Sequence, residues 1–329
     1  MSTYTELVDV AAARLGGTVL LANDEFFAPK ENLLKAEKPI WREGEYTDRG
    51  KWMDGWETRR RRTPGHDWCL VRLGIPAEVH GVVVDTSFFK GNFPEQCSLE
   101  ACEVNGDMDA AMLAKGEGVE WEEILPPAAL RCDTENLFAI RARSRVTHLR
   151  FNIYPDGGVA RLRVYGEAIP DPPLKPGVNA DLAAFRNGGL VVGYSDMFFG
   201  HRHNLILPGR STHMGDGWET KRRRGPGHDW IIVRLAARGS IDRIEVDTDH
   251  FKGNAPESCS LDVCDATGLP PEWLTSCDVG WTTLLSRTAL QADAQHRFDV
   301  SGGPATHARL AIYPDGGIAR LRLFGTVTG

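Results

Sequence analysis

Two tandem all-β domains, each a sandwich or jelly roll, are predicted by three features of this sequence. Long motifs occur twice, in the same order, about 160 residues apart. The segments between them are short, rich in β-branched residues and punctuated by Gly and Pro. A proline-rich stretch stands between the two sets.

The repeat is the strongest of the three. Asp54-Gly55-Trp56-Glu57-Thr58 recurs 162 residues later as Asp216-Gly217-Trp218-Glu219-Thr220. Pro64-Gly65-His66-Asp67-Trp68 and Phe89-Lys90-Gly91-Asn92 recur at the same offset. Near the start, Asp24-x-Phe26-Phe27 pairs with Asp196-x-Phe198-Phe199 at an offset of 172. Near the end, Tyr154-Pro155-Asp156-Gly157-Gly158 recurs at an offset of 159. Constant order with a drifting offset implies loop insertions on one shared fold. Four prolines within residues 169–177 make a stiff connector. The expected division is therefore residues 1–168, a linker 169–177, and residues 178–329.

Local signals within each copy are mostly β. Trp68-Cys-Leu-Val-Arg-Leu73 and Val82-Val-Val-Asp-Thr86, with their counterparts, read as strands. Residues 148–165 read as a hairpin around Pro155-Asp156-Gly157-Gly158, which supplies a preset φ and a positive φ. On its second arm Ala160, Leu162 and Val164 alternate with Arg161, Arg163 and Tyr165, predicting one buried and one polar face. Helix is expected only over residues 11–15 and 181–186.

Composition sets limits on function. Net charge is −7, so nothing draws the chain to nucleic acid or an anionic membrane. The first residues carry no basic, apolar secretory pattern, and no apolar run approaches a membrane span of roughly 18–20 residues. Seven cysteines, without a C-x-x-C pair, suggest buried thiols in a reducing, cytoplasmic setting. His201, His203 and His213 lack a counterpart in the first copy and clear carboxylate partners, so no metal and no other cofactor is expected.

Residues 54–68 concentrate Asp, Glu, four Arg, His and two Trp in a stretch broken by Gly and Pro. Its twin is 216–230. Such a loop offers arginines to hold a planar anion, His and carboxylates to move protons, and Trp to exclude water. Each also has a plainer role: surface ion pairs, a hydrogen-bonded His, core Trp, or Asp capping a turn. A second cluster, from Asp85 to Asn92 and Asp247 to Asn254, adds Lys90 and Lys252 at a strand end. Here Phe88 stands where the second copy has His250.

Taken together, these motifs closely resemble the allantoicase (allantoate amidinohydrolase) family across nearly the whole chain. The resemblance implies two galactose-binding-like jelly rolls and a homo-oligomer. It implies hydrolysis of a linear C–N bond, releasing urea and ureidoglycolate from allantoate in allantoin and purine degradation. Expected catalytic residues are Glu219, His228, Asp229, Asp247, His250 and Lys252, with Glu57, His66, Asp67, Asp85 and Lys90 in the first copy. Arg222, Arg223, Arg320 and Trp218, with Arg60, Arg61 and Arg161, are expected to bind substrate, an Arg clamping its carboxylate. His250 makes the second copy the better candidate for catalysis. The competing class is a non-catalytic tandem module that binds a small, carbohydrate-like ligand.

Overall fold

One strand of nineteen residues organises each unit: Asp67–Asp85 in the first and Asp229–Asp247 in the second. The computed structural model describes residues 4–140, 145–270, 272–276 and 279–329. It divides into two units, Met1–Ile169 and Pro170–Gly329.

In the first unit the beginning of the long strand pairs with Thr18–Ala22 and Val146–Tyr154. Its end pairs with Glu135–Ala139 and Arg161–Ala168. One strand thus serves two layers, the device by which sandwich corners are made. The changeover falls at Gly74 and Pro76. A Cβ on Gly74 would lie 2.5 Å from the Leu15 carbonyl oxygen, and Pro76 has no N–H for a ladder. Gln96–Cys102 and Glu122–Ala129 extend the first layer, and Val8–Asp9 closes the second. The second unit repeats this order strand for strand. Both units are jelly-roll sandwiches, as expected.

Apolar side chains from both layers form the core. Val82, Val84, Leu99, Phe151, Leu162 and Val164 are fully buried. The outer face of the first layer is covered as well: Leu70 and Cys102 pack with Leu113 of the helix Ala110–Lys115. Asp109 caps that helix by accepting hydrogen bonds from the Ala111 and Met112 N–H groups, and Gly116 ends it at φ 75°. Only 3-10 turns, Ala13–Leu15 and Phe185–Asn187, form where helix was expected. Of the six described cysteines, all but Cys132 are buried. Burial pushes the Cys97 thiol up to about 12, far from thiolate reactivity. None of the helices described is long and apolar enough to cross a membrane.

The hairpin expected over residues 148–165 does not form. Val146–Tyr154 and Arg161–Ala168 pair with opposite halves of the long strand, not with each other. Residues 155–158 instead carry the chain from one layer to the other. Gly158–Val159 is drawn across the sandwich end by a two-residue bridge to Trp56–Glu57. The expected positive φ is present, at Gly157 (137°) and Gly316 (131°). The polar face expected for Arg161 is also absent, because the loop preceding Asp54 folds over it and leaves it 1% exposed.

Candidate active site

The bridge between Trp56–Glu57 and Gly158–Val159 fixes which side chains reach the end of the first sandwich. Successive strand residues face opposite ways. Trp56 turns inward, fully buried, and its Nε1 donates to the Asp24 carbonyl at 2.8 Å. Glu57 therefore turns outward. Beneath the bridge lies the buried Phe89 ring. A Cβ on Gly158 would come within 1.9 Å of it, so this motif glycine is required by close approach.

Phe89 anchors the turn that follows the long strand. The Thr86 hydroxyl, fully buried, donates to the carbonyls of Arg131 and Thr134. Phe88 adopts φ 70°, in the left-handed region. Lys90 Nζ lies 3.6 Å from Asp133. Asn92 Nδ2 donates to Glu57 Oε1 at 2.7 Å, and the Asn92 carbonyl accepts from Gly158 N–H at 2.7 Å. The two motif clusters thus meet at the Glu57–Asn92 hydrogen bond.

A cleft of about 570 Å³ opens here, lined by Phe27, Trp41, Lys51, Met53, Glu57, Phe88, Lys90, Gly91 and Asn92. Glu57 is the one carboxylate in this lining. Burial raises its carboxyl above the ordinary glutamate value, and the Asn92 hydrogen bond opposes the rise. Trp41, Lys51 and Met53 come from a segment ten residues longer than its counterpart in the second unit: 32–54 against 204–216, counted between matching Asn and Asp residues. Arg161 donates to the Glu37 carbonyl, and Arg163 to those of Ala36 and Glu37, pinning the base of this segment.

The corresponding place in the second unit holds Glu219, whose Oε1 accepts from Asn254 Nδ2 at 2.5 Å. His250 takes the left-handed position of Phe88, at φ 71°. Its Nε2 is 3.1 Å from the Ser211 carbonyl oxygen. Lys252 lies 3.7 Å from Asp293, as Lys90 does from Asp133. With the shorter segment, Phe198 and Phe199 are 70% and 62% exposed.

The other expected residues are placed elsewhere. Arg161 and Arg320 are buried and bind Asp54 Oδ2 (2.7 Å) and Asp216 Oδ2 (2.8 Å), along with backbone carbonyls. These bonds occupy both guanidinium groups in holding the fold, although Arg320 also borders a small hollow beside Asp247. Trp218 is fully buried, with no face for a ligand. Asp67 and Asp229 are buried and paired with Arg61 and Arg223 at 2.6 Å. Those pairs tie the basic loop to the start of the long strand. His66 and His228 pack on Tyr154 and Tyr313, with ring centroids 4.7 Å apart. Burial and then Arg223 depress the His228 imidazole below its usual value. Asp85 and Asp247 accept hydrogen bonds from the N–H groups of Ser87 and Asp249 at 2.8 Å, capping the turns. Arg60 and Arg222 are exposed. No trio of metal-ligating side chains converges among the described residues. Of the expected set, Glu57 and Lys90 therefore meet in the first-unit cleft.

The asparagines, Asp133, Asp293 and the inserted segment were not among the expected site residues. The asparagines lie inside a repeated motif, and the insertion is visible as the fall in offset from 172 to 162.

Comparison with known proteins adds independent information. The allantoicase repeat profile matches residues 8–169 and 180–328. A probable allantoicase of Pseudomonas aeruginosa is 48% identical over 98% of this chain and 97% of its own length. An allantoicase of Dictyostelium discoideum is 46% identical over 97% of this chain and 87% of its own. The crystal structure of the Saccharomyces cerevisiae allantoicase superposes with a TM-score of 0.80 at 35% identity, covering 97% of this chain and 93% of that one.

Proposed function

Because this chain belongs to the allantoicase family, we propose that its first-unit cleft hydrolyses allantoate with Glu57 as the proton-transfer group. The family relationship makes the chain an enzyme of purine degradation that releases urea and ureidoglycolate from allantoate. The single observation that supports Glu57 is its setting: one carboxyl, its pKa raised by burial, in a cleft that holds two ammonium groups, the Asn92 amide and aromatic rings but no second carboxylate.

Allantoate carries one carboxylate and two ureido groups on a single carbon. Cleavage breaks the bond between that carbon and one ureido nitrogen. Urea leaves easily only as the neutral molecule, so that nitrogen must gain a proton as the bond breaks. Neutral Glu57 donates it. The remaining ureido nitrogen shares its lone pair with the carbon and carries the charge that develops. Water then adds to the carbon, and its surplus proton returns to the Glu57 carboxylate. The hydroxyl ends on carbon, the hydrogen on urea, and Glu57 is restored. Asn92 fixes the carboxyl orientation through Oε1.

Assembly into a homo-oligomer and a cytoplasmic setting belong to the same proposal; light scattering tests the first and cell fractionation the second. Urea release from allantoate by the purified chain tests the catalytic reading. Near-wild-type turnover by a folded Glu57→Gln variant would remove Glu57 from the chemistry.

A further inference from the structure

The inserted segment of the first unit carries a cation that none of the repeated motifs contains. Lys51 lies beside Gly50 in a small hairpin, Tyr46–Thr47 with Gly50–Lys51. The segment is held from below by Arg161 and Arg163, and the Ile40 N–H donates to Asp54 Oδ2 at 3.0 Å. Lys51 Nζ sits 4.1 Å from the centre of the Trp41 ring, a cation–π contact that holds the ammonium at the cleft wall. No carboxylate among the described residues pairs with it. Lys90, the other lining ammonium, already faces Asp133. Trp41 in turn tilts against Phe88, with centroids 5.9 Å apart and planes at 31°. The left-handed turn thus places Phe88 against the insertion.

We propose that Lys51 binds the substrate carboxylate and that Trp41 and Phe88 form the flat wall on which a ureido group rests. The inference rests on the reading that allantoate is turned over beside Glu57. It assigns the carboxylate to an ammonium, because the guanidinium groups of Arg161 and Arg320 are occupied within the fold. It also gives the Phe88/His250 difference a physical sense. An aromatic residue belongs opposite Trp41, and the second unit lacks that partner because its segment 204–216 is ten residues shorter. The site then selects substrates that combine one carboxylate with a planar amide.

Steady-state urea release by Lys51→Met, Lys51→Arg and Trp41→Leu tests this, with Glu57→Gln assayed in parallel. The neutral carboxamide analogue of allantoate serves as a competitor. Lys51→Met is expected to raise the allantoate KM at least tenfold with kcat changed less than threefold. Binding of the carboxamide should be unchanged, and Lys51→Arg should restore most of the loss. Trp41→Leu should weaken allantoate and carboxamide alike. A wild-type KM in Lys51→Met, or equal loss for both ligands, overturns the carboxylate assignment. If Glu57→Gln is inactive in that case, the catalytic reading survives it. Full activity in Glu57→Gln overturns the catalytic reading itself.

Discussion

Asp133 and Phe88 hold one another in unusual backbone conformations: the Phe88 N–H donates to Asp133 Oδ1 at 2.7 Å, with φ 70° at Phe88 and 49° at Asp133. The second unit repeats this with His250 and Asp293, again at 2.7 Å, with φ 71° and 53°. A non-glycine residue in the left-handed region costs roughly 1–3 kcal/mol and persists where its surroundings enforce it. Here the cost falls on the residue that faces the inserted segment.

Removing that restraint should loosen the cleft wall. Asp133→Ala frees the Phe88 N–H and the Lys90 ammonium together. Its kcat/KM for allantoate should fall about tenfold, corresponding to about 1.4 kcal/mol. Asp133→Asn, which keeps the acceptor, should fall less. Steady-state kinetics of the two variants checks this, and equal losses would show that charge alone is at work.

Arg161 should behave as a structural residue. Asp54 is buried with it, so Arg161→Met leaves a buried carboxylate that lacks its guanidinium partner. Breaking such a pair costs about 3–5 kcal/mol. Denaturant unfolding should show the loss as a lower midpoint. The double variant with Asp54→Leu should recover part of it. An unchanged midpoint with a raised KM would return Arg161 to the substrate.

The Glu57 carboxyl gives the pH dependence its sign. Burial raises it above the ordinary glutamate value, and the Asn92 bond lowers it. As the proton donor, Glu57 must be neutral, so kcat should decline as pH rises through its raised value. Asn92→Ala removes the lowering influence and should move that decline to higher pH. A pH–rate profile of the two proteins reads the shift, and movement to lower pH contradicts the assignment.

His148 should make the fold sensitive to mild acid. Burial, then Arg72, depresses its imidazole from the ordinary 6.5 to about 4. Between these values the unfolded chain binds a proton that the folded chain does not. Stability is therefore full above pH 6.5 and falls as pH drops toward 4, by on the order of 3 kcal/mol. Thermal melting from pH 7 to 4 should show this. His148→Gln should flatten the dependence if it folds, and an unflattened curve would place the sensitivity elsewhere.

Much of this is legible in the sequence, for identifiable reasons. Alternating apolar residues and Gly/Pro punctuation reveal the β class, since sandwich strands must bury one face. The supposed hairpin misleads because local turn chemistry at 155–158 is the same whether a chain reverses beside itself or crosses between layers. The bridge to Trp56–Glu57 decides between these, and it is a contact about a hundred residues distant in sequence. Arg161 is misread for a related reason: strand alternation places it away from the sandwich core, but not under a loop that lies over it. Asp133 and Asp293 stand outside every repeated motif, so only the folded turn shows what they hold. Glu57 lies within a motif, whereas the burial that raises its pKa exists only in the folded chain.

Urea release by Glu57→Gln, beside Glu219→Gln under identical conditions, tests the central claim most directly. A positioned general acid contributes about 10²–10⁴-fold. Glu57→Gln should therefore lose at least a hundredfold in kcat while melting like the wild type, and Glu219→Gln should lose far less. Near-wild-type turnover in Glu57→Gln, or the larger loss in Glu219→Gln, would contradict it.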